Sequence, residues 1–212
     1  MNSLNIFCVT DEPHKHLERL NVNLVGVGKR QFNQKYLTCL SGKNIQKKEK
    51  YYSELTFHYW FWKNRLKNYK NKDWIGFCQK RRFWTKDSSI IKNFEDLKKK
   101  IITKPRKNWE RYESIICKPI RVDNPKKMKL LKRGWRNILI DPSIINQKNK
   151  QNIKLHFDMH HGFGVLDKAI DIMHLNDREN FRKFVNKEVK FNPHIMVISK
   201  KKILNKWFKD LF

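Results

Sequence analysis

The chain has 212 residues, of which 48 are Lys or Arg and 20 are Asp or Glu, so its formal net charge is +28. Hydrophobic residues make up 39% and aromatic residues 13% of the sequence. This composition excludes wholesale disorder, which combines high charge with few aromatic side chains. Length favours a single domain over residues 1–212, and the charge favours polyanionic partners.

The four cysteines, Cys8, Cys39, Cys78 and Cys117, are far apart and form no CxxC pair. Neither a compact zinc site nor a disulfide scaffold is therefore expected. The first residues lack the pattern of a signal peptide, and the sequence has no run of 18 apolar residues. We expect a cytoplasmic protein that can attach peripherally to the anionic inner face of the membrane through its basic patches.

The first half of the chain predicts strands on either side of helical segments. Apolar runs at 6–9 and 22–27 favour two strands joined by a polar crossover, and residues 28–50 favour an exposed loop or short helix. Ser53 is expected to cap the strongest helix, whose apolar stripe is Leu55, Tyr59, Trp62, Leu66 and Tyr69. Residues 74–78 form an unbroken apolar run, which is typical of a central strand buried on both faces.

The second half alternates in the same way. Helices are expected at 90–102, 167–174, 177–186 and 200–212, and strands at 114–117 and 195–198. Residues 121–151 form a weakly patterned basic insertion. The alternation predicts an α/β fold with a single mostly parallel sheet flanked by helices.

Ligands of parallel sheets bind at the carboxyl ends of the strands. This rule selects residues 10–12 (Thr-Asp-Glu) after the first strand, residues 79–82 (Gln-Lys-Arg-Arg) after the central strand, and Ser199 with Lys200 after the last. We expect these side chains to share one edge of the sheet.

Two segments resemble a known family. Residues 52–64 read YSELTFHYWFWKN and residues 74–83 read WIGFCQKRRF. They resemble the YxELTxxYWxWKN and YIGLCHYRRYF motifs of the bacterial DUF4422 family, glycosyltransferase-like proteins of capsular and exopolysaccharide clusters. Residues 42–45 (GKNI), the histidines at 160 and 161, and residues 192–198 (NPHIMVI) resemble further family segments. The chain departs from the family pattern at Lys43, where the family has Asp, and at Gln79-Lys80, where it has His-Tyr.

The resemblance implies a GT-A-like nucleotide-sugar-binding fold. The implied activity is a hexosyl transfer from a nucleotide-sugar donor to a surface polysaccharide or a lipid-linked oligosaccharide acceptor. Arg81 and Arg82 are the leading donor-site candidates, because bidentate guanidinium groups fit a diphosphate. The other donor-binding candidates are Thr10, Thr56, Trp60, Lys63, Asn64 and Lys80. The candidates for contact with the acceptor or substrate are His160, His161, Asn192 and His194.

Three carboxylates, Glu54, Asp11 and Asp158, are candidates for the catalytic base, and the sequence does not choose among them. The chain has no Asp-x-Asp pair, and its one acid-x-acid triplet, at 177–179, reads as the first turn of a helix. His156 and His160 share a helix face but lack an HExxH pattern and a third ligand. We therefore expect neither a divalent metal nor another cofactor.

Two interpretations compete with glycosyl transfer. The positive charge alone would suit a nucleic-acid-binding protein, although 36 of the 48 basic residues are Lys, as AT-rich codons would produce. The departure at Gln79-Lys80 would suit a non-catalytic family member that binds a sugar nucleotide. Among the aromatic residues, Tyr59 and Trp62 are expected in the core, and Trp60 can face either the core or a ligand.

Overall fold

The computed structural model describes residues 3–212, and its contacts divide the chain into two compact units. The first unit contains the chain up to Cys117 together with Ile195–Phe212, and the second contains Lys118–His194. The expectation of a single domain stays a prediction. Within the described residues, no helix is long and apolar enough to cross a bilayer.

Strands and helices alternate along the described residues. The strands are β1 (Leu4–Thr10), β2 (Asn23–Gly26), β3 (Tyr36–Thr38), β4 (Trp74–Gln79), β5 (Ser114–Ile116), β6 (Ile120–Arg121), β7 (Lys190–Phe191) and β8 (Val197–Lys200). The helices are α1 (Glu49–Tyr52), α2 (Leu55–Asn64), α3 (Phe94–Lys100), α4 (Lys127–Arg133), α5 (Trp135–Ile140), α6 (Ile153–His161), α7 (Val165–Asp171), α8 (Leu175–Lys187) and α9 (Lys201–Leu211). Short 3₁₀ helices include Leu17–Arg19, Leu66–Asn68 and Lys107–Arg111.

The first unit is built on a sheet of strand order β3-β2-β1-β4-β8-β5. The pairs β3-β2, β2-β1 and β1-β4 are parallel, which confirms the predicted α/β class with a mostly parallel sheet. Strand β8 runs antiparallel to both of its neighbours. Lys200 consequently pairs with Trp74 at the start of β4, and the prediction that Ser199 and Lys200 share the edge of residues 79–82 is wrong.

Side chains of the central strands alternate between two apolar clusters, as the pleat of a strand requires. Ile6, Cys8, Trp74 and Cys78 pack in one cluster, with the 3₁₀ helix Leu17–Arg19 and α3 beside them. The next residues along the same strands pack in the other cluster with α2 and α9; they are Phe7, Val9, Ile75 and Phe77. Helices therefore cover both faces of the sheet, and the central-strand prediction for 74–78 is confirmed.

Helix α2 buries a different face from the one that its sequence suggested. Phe57, Trp60 and Phe61 are buried, whereas Tyr59 and Trp62 are half-exposed. Both contact Phe212, Tyr59 edge-on and Trp62 by stacking. Trp60 is therefore in the core, and the prediction that Tyr59 and Trp62 lie there is wrong. Ser53 does not cap the helix with its side chain; instead its carbonyl accepts hydrogen bonds from the backbone N–H and the hydroxyl of Thr56.

Two other segments hold more structure than expected. Residues 28–50 contain β3, with Tyr36 and Cys39 buried, because a short apolar run there completes the edge of the sheet. The basic region 121–151 contains α4 and α5, which pack through Leu130 and Ile138 onto Leu155 and Met159 of α6. The remaining helices of the second unit share a core around Ile170 and Val185.

Candidate active site

An open cleft of about 330 Å³ lies at the carboxyl ends of β1 and β4. The two strands are parallel neighbours, with Val9 paired to Gln79, so the residues that follow them meet at the same edge. The cleft is lined by Val9, Thr10, Asp11, Val27, Ser53, Glu54, Gln79, Lys80, Arg81 and Arg82. Six of the predicted site residues lie here together: Thr10, Asp11, Glu54, Lys80, Arg81 and Arg82.

One side of the cleft is an ion-pair cluster. The Lys80 ammonium donates to Asp11 Oδ1 at 2.5 Å and to Glu12 Oε1 at 2.9 Å, and Arg30 donates to Glu12 Oε2. The hydrogen bond from Lys80 lowers the pKa of Asp11 below its usual value, and the same contacts raise the pKa of Lys80. Thr10 is buried, and its hydroxyl bonds to the backbone of Glu12 and fixes this turn. The positive charge of Lys80 is therefore neutralised by the carboxylates of Asp11 and Glu12.

The other side of the cleft is a chain of side-chain hydrogen bonds from Arg82 through Gln79 to Glu54. Gln79 Nε2 donates to Glu54 Oε1 at 2.6 Å, and Arg82 Nη1 donates to Gln79 Oε1 at 3.0 Å. Burial raises the pKa of Glu54, while Gln79 and Arg82 oppose part of that rise. Gln79 therefore contacts the Glu54 carboxylate through its amide nitrogen and the Arg82 guanidinium through its amide oxygen.

The two arginines sit on a tight turn after β4. The backbone groups of Gln79 and Arg82 bond to each other, N to O at 3.2 and 3.0 Å, which folds residues 79–82 back on themselves. Both guanidinium groups are exposed, and Arg81 makes no hydrogen bond or ion pair with any residue in 3–212. The turn therefore presents the Arg81 guanidinium without a partner in residues 3–212 and the Arg82 guanidinium with one hydrogen bond, to Gln79.

Ser53 at the cleft wall is the residue with an unusual backbone. Its φ of 46° and ψ of −123° place it in a region that residues other than glycine rarely adopt. The kink separates α1 from α2, so that Glu54 lies at the N-terminus of α2 beside Gln79. Such strain is concentrated at functional sites in proteins.

Other motif residues hold a loop instead of lining the cleft. The Trp60 indole donates to Ser41 O at 2.6 Å, and Asn64 bonds to the backbone N–H and C=O of Lys43. Gly42 has a φ of 67° and lies so close to Asn64 that a Cβ there would be 2.4 Å from Asn64 Oδ1. The two motifs at 42–45 and 52–64 are therefore joined directly.

Two further donor-site candidates have local partners. Thr56 is fully buried and bonds to Ser53 O, and the Lys63 ammonium lies 3.1 Å from the centre of the Trp62 ring. Donor binding by Thr56, Trp60, Lys63 and Asn64 stays a prediction. The contacts of Thr56, Trp60 and Asn64 hold the backbone of Ser53 and of residues 41–43, so these three residues can shape the wall of the cleft.

The remaining candidates belong to the second unit. Asp158 is buried and accepts hydrogen bonds from Asn137, Lys154 and the Gly164 N–H. Three donors therefore already occupy this carboxylate. His161 stacks on Phe157, and Asn192 accepts a bond from the backbone N–H of His194.

His160 borders a basic cleft of the second unit. The cleft has a volume of about 590 Å³ and is lined by Arg121, Val122, Asp123, Asn124, Pro125, Lys126, Lys129, Lys148, His156 and Met159. Lys129 donates to His160 Nε2 at 2.8 Å, and His160 Nδ1 donates to His156 O. Asp123, the acid of this cleft, is ion-paired with Arg121. Nothing in the sequence pattern pointed to this cleft, because its lysines are spread between positions 126 and 148.

Among residues 3–212, no three His, Cys, Asp or Glu side chains are grouped so that they could hold a metal ion. The expectation of metal-independent chemistry stays a prediction.

A parallel sheet that carries charged side chains at its carboxyl edge is the usual arrangement of nucleotide-binding α/β proteins. Residues 6–212 match the family described as a domain of unknown function, DUF4422, and the chain belongs to this family. The suspected family is thus confirmed. No curated protein sequence matches the chain.

A solved structure has a similar fold. It is the apo structure of the bifunctional glycosyltransferase WbbM, with a TM-score of 0.60 and 19% sequence identity. The match covers 98% of this chain and 35% of the WbbM chain, so this chain spans about a third of that protein's length. The fold is therefore glycosyltransferase-like.

The structure adds Arg30 to the site and shows the partners of Gln79 and Glu12, which the strand-end rule selected without a role. Gln79 links Glu54 to Arg82, and Glu12 with Arg30 completes the ion-pair cluster. The signal for Gln79 was its place at the end of the apolar run that forms β4. Arg30 carried no signal, since it lies in a segment with no regular pattern.

Proposed function

We propose that this protein is a glycosyltransferase that moves a sugar from a nucleotide-sugar donor to a polysaccharide or lipid-linked oligosaccharide acceptor. Family membership and the glycosyltransferase-like fold support the reaction class. The observation that carries the proposal is the pairing, in one cleft, of a partly buried carboxylate with two exposed guanidinium groups.

Arg81 and Arg82 are assigned to the donor diphosphate. Glycosyl transfer releases a nucleoside diphosphate, so negative charge grows on the leaving oxygen as the glycosidic bond breaks. Guanidinium groups fit phosphate oxygens in a bidentate manner, and fixed donors of this kind stabilise developing charge. Arg82 is held by Gln79, whereas Arg81 is unengaged within the described chain and can turn onto a ligand.

Glu54 is assigned as the base that takes the proton of the acceptor hydroxyl. Its raised pKa makes it a stronger base than Asp11, whose pKa is lowered by Lys80. Asp158 is less suited, because it is buried and accepts hydrogen bonds from three donors. The choice that the sequence left open among these three carboxylates is therefore Glu54 in our proposal.

The basic cleft of the second unit is assigned to the acceptor. Lys126, Lys129 and Lys148 line it, and its one acid is already paired, so an acceptor that carries a phosphate or another anionic group fits its charge. His160 at its border and the neighbouring His161 are the family positions expected to contact substrate.

Thermal unfolding with a panel of nucleotide sugars tests the donor site. We expect at least one nucleoside diphosphate sugar to raise the unfolding temperature, and the Arg81→Ala/Arg82→Ala variant to lose this shift. A matched control is Lys98→Ala/Lys99→Ala, which removes two exposed cations from α3 and should keep the shift. An unchanged shift in the arginine variant would remove Arg81 and Arg82 from the donor site.

The net charge of +28 favours one second function, the binding of nucleic acid. Oligonucleotide binding measured at physiological salt separates the two. Nanomolar affinity for oligonucleotides in a protein that no sugar nucleotide stabilises would replace glycosyl transfer with nucleic-acid binding.

A further inference from the structure

Helices α4 and α5 of the second unit form one bent helical segment. The Gly134 N–H donates to Leu130 O and the Ile138 N–H donates to Gly134 O, so the hydrogen-bond ladder continues from one helix into the next. Gly134 is buried at the bend, where a Cβ would be 2.9 Å from Leu130 O. The segment can therefore be treated as one amphipathic element.

This segment has two apolar faces, and only one of them is covered. The inner face contains Leu130, Gly134 and Ile138, four residues apart, and packs on α6. The outer face contains Met128, Leu131, Trp135 and Leu139, at i, i+3, i+7 and i+11, and these four side chains are 49–73% exposed. We call these four residues the exposed stripe; Ile140 beside it is 73% exposed.

Cations surround the exposed stripe. Residues 126–140 contain six Lys or Arg and no Asp or Glu. We call these six cations the charged rim. The Arg136 guanidinium lies 5.2 Å from the centre of the Trp135 ring, so one cation of the rim contacts the exposed stripe directly. Long basic side chains can lie along an apolar surface while their charged ends remain in a polar layer.

The combination selects one kind of partner. A second copy of this chain would bring the same cations against this face, and nucleic acid would leave the leucines of the exposed stripe without an apolar partner. An anionic lipid surface offers both phosphate groups for the rim and hydrocarbon for the stripe. We propose that the α4–α5 segment docks the protein on an anionic lipid bilayer, with the exposed stripe inserted at the headgroup boundary.

The docking surface goes beyond the proposed transfer reaction, and its test needs no donor or acceptor. The full chain is sedimented with vesicles of phosphatidylcholine containing about a third phosphatidylserine, and with phosphatidylcholine alone. We expect binding to the anionic vesicles to be at least about tenfold stronger. Equal binding to the two vesicles, or no binding, would overturn the proposal.

The decisive variant is Leu131→Ser/Trp135→Ser/Leu139→Ser. It should fold normally, because all three side chains are exposed, and bind anionic vesicles at least about tenfold more weakly. The matched control is Ile172→Ser/Leu175→Ser, which removes two side chains of the same unit that are 88% and 75% exposed but lie near Asp171 and Asp177. Equal loss in both variants would overturn the assignment to the exposed stripe.

Two further readouts separate this occupant from others. Trp135 is the tryptophan that is exposed in the described chain, so brominated lipids should quench its fluorescence, and Trp135→Phe should abolish the quenching. Quenching that persists in Trp135→Phe would contradict insertion of the stripe. A dimer in sedimentation velocity that the triple variant dissolves, in a protein that does not bind vesicles, would show that a second copy covers this face.

Discussion

Glu54 is the carboxylate that we propose as the base, and its surroundings differ from those of Asp11. It is partly buried, it is held by Gln79, and its pKa is raised because burial disfavours the charged form. Asp11 lies in the same cleft but is tied to Lys80, which lowers its pKa. The two acids therefore differ in basicity through their partners, although they share one cleft.

Glu54→Gln should lower the transfer rate by about 100-fold or more, because general-base contributions have this size. Donor binding should remain, since Arg81 and Arg82 are unchanged. The transfer rate of the wild type should increase as pH rises through the raised pKa of Glu54, because only the ionised carboxylate acts as a base. The residual rate of the variant should not show this increase. Release of nucleoside diphosphate followed against pH measures both, and a variant with the wild-type rate would exclude Glu54 as the base.

The same variant has a stability readout. A carboxyl whose pKa is higher in the folded state binds protons more tightly there, so folding is favoured at low pH and this contribution is lost as pH rises from the usual glutamate range through the raised pKa. Glu54→Gln should therefore raise the unfolding temperature at pH 7 relative to the wild type, and the difference should shrink at acid pH.

At the scale of elements, sequence predicts strands better than it predicts which face of a helix is buried. Strand β4 was readable because burial on both faces requires an unbroken apolar run. The direction of β8 was not, since an apolar run carries no direction. Six of the ten residues of α2 are aromatic or aliphatic and they fall on several faces, so the choice between Trp60 and Trp62 depends on the sheet below and on Phe212.

Two other elements were missed for related reasons. Strand β3 has only three residues, and as an edge strand it pairs only with β2. In α4–α5, the covered face and the exposed stripe are neighbouring faces, offset by one residue and so by about 100° around the helix. The apolar residues of the two faces therefore interleave along a segment rich in lysine, and the sequence looks weakly patterned.

The contact of α2 with the sheet contains a buried histidine that should make the fold sensitive to acid. His58 Nδ1 bonds to Glu54 O, its Nε2 is buried without a partner in residues 3–212, and burial lowers its pKa to about 4. Its ring packs against Phe77, Trp207 and Phe208. Protonation of this ring would place a charge in an aromatic cluster.

The sign of the pH effect follows from the lowered pKa. The stabilising contribution of neutral His58 is complete above the ordinary pKa of 6.5 and is lost as pH falls towards 4, at a total of about 3 kcal/mol. His58→Asn keeps a donor for Glu54 O but does not titrate. Its unfolding free energy should be lower at pH 7 and should fall less between pH 6.5 and 4; equal slopes in urea titrations would refute this role.

At the scale of the whole molecule, the strand-end rule predicts where the cleft lies. The side chains that pair with each other inside the cleft come from distant parts of the sequence. Lys80 meets Asp11 across 69 residues, and Gln79 meets Glu54 across 25. No local spacing encodes these pairs; they follow from the parallel pairing of β1 with β4 and from the kink at Ser53. Of the three cations that follow β4, Lys80 is paired with Asp11 and Glu12, so Arg81 and Arg82 are the ones left to meet a ligand.

The ion pairs of Lys80 also bear on the expectation that the protein needs no divalent metal. A divalent ion prefers carboxylate oxygens, and Asp11 and Glu12 would supply them only if the ion displaced the Lys80 ammonium at 2.5 and 2.9 Å. Arg81 and Arg82 remain to neutralise the diphosphate. We therefore expect the donor-induced thermal shift and the transfer activity to persist in EDTA.

Lys80→Met provides the matched test. It frees Asp11 and removes one of the cations paired with Glu12, which keeps Arg30, while it leaves Arg81, Arg82 and Glu54 in place. Mn²⁺ should therefore stabilise this variant with donor more than it stabilises the wild type. Thermal shifts with donor in EDTA and in Mn²⁺ measure the difference. Wild-type activity that disappears in EDTA and returns with Mn²⁺ would show that the ion displaces Lys80, and that Asp11 and Glu12 act as ligands and not as the partners of a lysine.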